Sequence, residues 1–137
     1  LLNYRVVIQT YGLTNIALKV KDLDRSVAFY HQLFDARVMY KEDHFVQIQT
    51  PGSKDIIVFE KADEIPVNQS GIIHFGFRLM EPVDADKLVA EVIKAGGRIK
   101  EQGEFVPGEP YVFFFDPDGY EAEVWYEKIP LDLDQFL

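Results

Sequence analysis

Residues 71–79 read GIIHFGFRL, and here the chain begins its order of elements a second time. Alternation puts Ile73, Phe75, Phe77 and Leu79 on one face of a strand and His74, Gly76 and Arg78 on the other. One face is wholly apolar. The other carries an imidazole able to bind metal, a gap and a guanidinium, which a strand built only for a core does not need.

Upstream, LTNIALKV (13–20) alternates in the same way, with Ile16, Leu18 and Val20 opposite Asn15, Ala17 and Lys19. DLDRSVAFYHQLF (22–34) reads as a helix, with Asp24 as its cap and Val27, Tyr30 and Phe34 at helical spacing. The strand-like runs ARVMY, HFVQIQT and DIIVFE follow, the last two joined by a PGSK turn. Residues 61–70, KADEIPVNQS, are polar and read as a linker.

Downstream of GIIHFGFRL the sequence DADKLVAEVIKAGG predicts a second helix. Asp84 is its cap, Leu88 and Val92 form its buried stripe, and Gly96-Gly97 is its stop. RIKEQ, PYVFFF and YEAEVWYE are the strands after it, with DPDG turning between the last two through Pro117 and Gly119. Each half is therefore βαβββ. FVQIQTP (45–51) aligns without a gap on YVFFFDP (111–117), which sets Ile57 opposite Glu123. The expected fold is α+β. A single domain spans 1–137, made of module 12–60 and module 71–128 joined by linker 61–70. Its mixed eight-stranded sheet forms an open cup with the helices on the outer face.

Composition narrows the function. The 137 residues suit one ordinary domain, and 47% hydrophobic content rules out a disordered chain. A net charge of −9 without a Lys/Arg cluster argues against nucleic acid. The absence of cysteine removes disulfides, thiolate nucleophiles and cysteine zinc sites, and favours the cytoplasm. No apolar run approaches the ~20 residues of a membrane span, and LLNYRVVIQT lacks the basic start and small-residue exit of a signal peptide. Neither membrane nor nucleic acid is expected as a partner.

In the last strand Glu121, Glu123 and Trp125 alternate with Ala122, Val124 and Tyr126, so His74 and Glu123 look into the same cup. Direct pairing of the two would lower the Glu123 pKa. Phe59, Phe113 and Trp125 fall on the open side in this register, where they stack on a planar ligand or close the cup by packing together. Arg78 is either an anchor for an anionic or carbonyl group or a salt bridge at the sheet margin. Glu121 and Lys19 are expected at the rim, and His31 and His44 on the surface.

VKDLDRSVAFY after the first strand and DPDGYEAEV near the end resemble the vicinal oxygen chelate superfamily. That group includes glyoxalase I, extradiol dioxygenases, and fosfomycin- and bleomycin-resistance proteins. The resemblance implies metal ligands from the first, fourth, fifth and eighth strands. His74 matches the fifth-strand histidine and Glu123 the eighth-strand glutamate; Asn15 and Ile57 fall where the other two ligands would stand. It thus implies His74 and Glu123 as catalytic or metal-binding residues, with Asn15 as a weak third ligand to Mn, Fe, Zn, Ni or Mg, or no metal at all. Asn15, Ile57, Phe59, Arg78, Phe113 and Trp125 would contact the ligand. Two functions stay open. One is a binder of a small planar or aromatic molecule with an incomplete metal site. The other is a metal-dependent lyase, isomerase or dioxygenase acting on a vicinal-oxygen substrate. The resemblance also implies a homodimer, and Leu131, Leu133, Phe136 and Leu137 in the C-terminal IPLDLDQFL, which have nothing obvious to cover, are expected to pack across its seam.

Overall fold

The computed structural model describes residues 8–65 and 71–128; the expected seam at 129–137 lies outside the described residues. The fold is α+β. The first half runs β1 (Asn15–Val20), α1 (Leu23–Phe34), β2 (Arg37–Glu42), β3 (Phe45–Gln49) and β4 (Ile56–Lys61). The second runs β5 (Phe75–Arg78), α2 (Ala85–Ala95), β6 (Arg98–Glu104), β7 (Pro110–Phe115) and β8 (Glu121–Trp125). The strands form two open four-stranded mixed sheets, β1-β4-β3-β2 and β5-β8-β7-β6. In each the first strand pairs parallel with the fourth and the remaining pairs are antiparallel.

Local chemistry sets the helix ends. Asp22, not Asp24, caps α1, its carboxylate accepting from the Arg25 N–H at 3.0 Å. Asp24 stands in the first turn, where a negative charge suits the helix dipole, and pairs with Lys41. α2 begins at Asp84 and ends on Gly96, whose φ of 107° suits a residue without Cβ.

α1 lies against β2, β3 and β4, α2 against β6 and β7, and the helices touch each other. Their apolar stripes meet alternate strand residues in one core. Val20, Phe29, Tyr30, Val46, Ile48, Phe59, Val92, Val112, Phe114 and Val124 are all at most 1% exposed. Ile73 is not among them. It precedes β5 and is 77% exposed, because the ladder begins only at Phe75.

The DPDG turn ties the halves together. Tyr30 Oη donates to Asp116 Oδ2 at 2.8 Å, and Asp118 accepts from Arg25 Nη2, Ser26 Oγ and the Lys21 N–H. Phe29 packs on Phe114 across the same seam, with ring centroids 6.1 Å apart. The first helix is thus held by the last hairpin as well as by its own sheet.

Candidate functional site

The register of the second sheet decides which side chains share its helix-free face. Parallel pairing sets Gly76 beside Glu123 and Arg78 beside Trp125. Antiparallel pairing sets Phe113 beside Glu123 and Tyr111 beside Trp125. The alternate residues Val112, Phe114, Ala122 and Val124 face the core. Period-2 geometry therefore puts Tyr111, Phe113, Glu121, Glu123, Trp125, Gly76 and Arg78 on one surface.

His74, immediately before β5, stands between two carboxylates of β8. Its Nδ1 is 3.6 Å from Glu121 Oε2 and its Nε2 3.7 Å from Glu123 Oε1. Phe113 meets the imidazole edge-on at 5.1 Å. Glu121, expected at the rim, is in fact mostly covered, because Lys100 reaches over from β6 and donates to it at 2.7 Å. Glu123 is covered to a similar extent. Burial raises its pKa above the ordinary carboxylate range; the charge of His74 lowers it less than burial raises it, and Glu127 adds to the rise. The expected lowering by direct pairing is overturned by desolvation. The result is a part-exposed imidazole beside a carboxylate that takes a proton more readily than usual. Such a pair can offer a ligand a donor, an acceptor or a proton.

Trp125 occupies the gap left by Gly76: a Cβ at residue 76 would lie 2.6 Å from the indole Cζ3. The indole N–H donates to Glu127 Oε1 at 3.1 Å. Arg78 is exposed, and among the described residues no carboxylate stands within ion-pair distance of its guanidinium.

Two residues expected on the open side lie elsewhere. Phe59 is fully buried under α1, its ring 5.5 Å from that of Tyr30. Ile57, 3% exposed, belongs to the same core face. The ladder sets Ile57 beside Ile16 and Phe59 beside Leu18, so Val58, beside Ala17 and Gln47, is the counterpart of Glu123. The loop 50–55 is one residue longer than 116–120, and one residue reverses every side chain of a strand. Asn15 is exposed at the start of β1 and lines a cleft of about 460 Å³ with His74, Gly76 and the edge of Ile57.

The donors around His74 do not fit a firmly held divalent ion. The ring nitrogens of His74 point to different carboxylates, so an ion at Nε2 meets Glu123 and not Glu121, which Lys100 already engages. Asn15 adds only a neutral oxygen. Among the described residues no three His, Cys, Asp or Glu side chains converge as a ligand set.

Tyr111, Lys100 and Gly103 were not singled out from sequence. The alternation in YVFFF already places Tyr111 with Phe113, whereas the reach of Lys100 depends on a bulge between Ile99 and Glu101 that carries no sequence mark.

Solved structures share this architecture. The genomically encoded fosfomycin resistance protein FosX from Listeria monocytogenes is 22% identical, covering 88% of this chain and 97% of that one, with a TM-score of 0.72. A point mutant of the Listeria protein, 21% identical, covering 94% and 100%, TM-score 0.69, is complexed with Mn(II) and 1S,2S-dihydroxypropylphosphonic acid. Lactoylglutathione lyase from Agrobacterium tumefaciens is 19% identical, covering 85% and 94%, with a TM-score of 0.64. No curated protein matches the sequence. The family model for the Glyoxalase/Bleomycin resistance protein/Dioxygenase superfamily matches residues 12–124. With the paired βαβββ halves and the face around His74, this places the chain in that superfamily, the vicinal oxygen chelate group.

Proposed function

We propose that this chain binds a small planar or aromatic molecule on the helix-free face of its second sheet, without depending on a tightly held metal. The observation that carries the reading is the setting of His74. The imidazole stands between Glu121 and Glu123, with Phe113 edge-on and Trp125 lying across Gly76 nearby. Rings supply stacking area, and His74, Glu123 and Arg78 fix the polar edge of the ligand. Asn15, from β1, lines a cleft with His74 and Gly76. The molecule acts as a homodimer in the cytoplasm.

A second reading, a metal-dependent lyase, isomerase or dioxygenase, draws support from the Mn(II) complex of the Listeria relative. Titration of planar molecules against the fluorescence of Trp125, the sole tryptophan, tests the first. We expect saturable quenching that weakens about tenfold in His74→Ala or Phe113→Ala. Metal retained stoichiometrically through desalting, and lost in His74→Ala, would transfer the conclusion to the second reading. Light scattering checks the dimer.

A further inference from the structure

The aromatic surface does not stop at Phe113. Its ring lies 5.6 Å from that of Tyr111, and Tyr111 stacks on Phe105 at 4.4 Å with 22° between planes. With the contact of His74 to Phe113, this makes a continuous row of rings from the imidazole to the tip of the β6–β7 hairpin. Tyr111 holds its place because residue 103 is glycine: a Cβ there would lie 2.9 Å from the phenol oxygen. Phe105, at the far end, is 52% exposed although it is a large apolar side chain.

The charge around that far end is negative. Glu101 Oε2 accepts from Tyr111 Oη at 2.8 Å, while Glu104, paired with Pro110, belongs to the opposite face of the sheet. Glu109 accepts from the Lys128 N–H, and Glu127 from the Trp125 indole. The side chains of Lys100 and Arg98 lie toward the other end of the row, on Glu121 and over Phe115; Arg78, level with Trp125 and Tyr111 in the ladder, and Lys128, next to Glu127, are the cations set against the carboxylates Glu101, Glu109 and Glu127. An aromatic face edged by carboxylates attracts cations and repels anions.

We infer that the ligand site extends from His74 along Phe113 and Tyr111 to a distal subsite on Phe105, and that this subsite takes the positively charged end of an elongated planar molecule. The inference rests on the reading of the second sheet as a ligand-binding face and adds the length and charge of the ligand. Phe105 and Glu101 are its specificity residues. Phe105 supplies stacking area, and Glu101 supplies charge beside the Tyr111 ring.

Equilibrium dialysis of the full chain with proflavine, a planar cation, and 9-anthracenecarboxylate, a planar anion of similar size, tests this. Wild type is expected to bind the cation about tenfold more tightly than the anion. Phe105→Ala should weaken proflavine about fivefold with an unchanged circular dichroism spectrum. Glu101→Gln, which keeps an acceptor for Tyr111, should narrow the preference for the cation and leave the anion unaffected. Equal affinity for the two probes, or proflavine binding indifferent to Phe105→Ala, overturns the distal cation subsite. His74→Ala and Phe113→Ala then still report on the proximal face. Binding of neither probe by the wild-type chain, with no quenching of Trp125 by any planar molecule, overturns the proposed function itself and the inference with it.

Discussion

Tyr30 and Asp116 meet through a 2.8 Å hydrogen bond that joins the first helix to the last hairpin. Tyr30 is fully buried and Asp116 is 5% exposed, so the bond is shielded from solvent. Burial and the nearby carboxylate together hold the phenol far above its ordinary pKa, and it therefore stays a donor throughout the working range. Tyr30→Phe removes the donor and keeps the ring contacts with Phe59 and Phe77. Asp116 retains the Asp118 and Tyr120 N–H groups. The expected loss is about 1–3 kcal/mol in urea unfolding with an unchanged m-value. A loss within error of zero would show that the halves are held by apolar packing alone.

Asp116 also predicts a pH dependence. Burial raises its pKa, while bonds from Tyr30 and two backbone N–H groups lower it less. A carboxyl that binds its proton more tightly folded than unfolded favours the folded state at low pH. That contribution is lost as pH rises through the raised folded value. Asp116→Asn cannot ionise; its oxygen keeps the Asp118 and Tyr120 N–H groups and its amide NH2 donates to the Tyr30 hydroxyl. Its stability relative to wild type should therefore improve as pH rises from about 4 to about 7. Urea midpoints of both proteins across that range measure it, and a difference that moves the other way contradicts the assigned cause.

Much of this architecture was legible before any coordinates. Period-2 runs, Asp84 and Gly96 at the ends of α2, and the second start at residue 71 give the doubled βαβββ order directly. The facing of β4 was not legible, because the gapless match of β3 on β7 carries no notice of the extra residue in loop 50–55. That single residue moved Ile57 and Phe59 from the expected pocket into the core. The DPDG turn announced its backbone through Pro117 and Gly119. Its use of Asp116 and Asp118 as acceptors for α1 is a contact across more than eighty residues, and local pattern is silent about that. Glu121 read as a rim residue for the same reason, since Lys100 covers it from another strand.

Gly76 answers to a close approach rather than to backbone freedom. Trp125 lies where its side chain would be, with Cζ3 2.6 Å from an ideal Cβ. Gly76→Ala must push the indole off the sheet, away from Glu123 and Arg78. We expect about 1–3 kcal/mol of destabilisation, a red-shifted Trp125 emission and weakened quenching by planar ligands. Emission and affinity that both match wild type would mean that the indole contributes nothing to the face.

The last prediction concerns metal. His74 and Glu123 give an ion one imidazole nitrogen and one carboxylate, and Asn15 lines a cleft with His74 and offers a neutral amide. If the weak donor is what limits affinity, replacing it should supply what is missing. Wild type is expected to shift its Tm by less than about 1 °C with excess Mn(II), Ni(II) or Zn(II), or with chelator. Asn15→His places a second imidazole at the start of β1, giving two nitrogens and a carboxylate, a donor set that holds such ions firmly. Occupied at a hundred times its Kd, such a site adds about 2.7 kcal/mol, or roughly 5 °C or more in Tm. The comparison is internal, since His74→Ala in the Asn15→His background should abolish the shift. A wild-type protein that gains as much as the variant would mean that the cleft already holds a donor beyond these three, and the metal-independent reading of the site would fall.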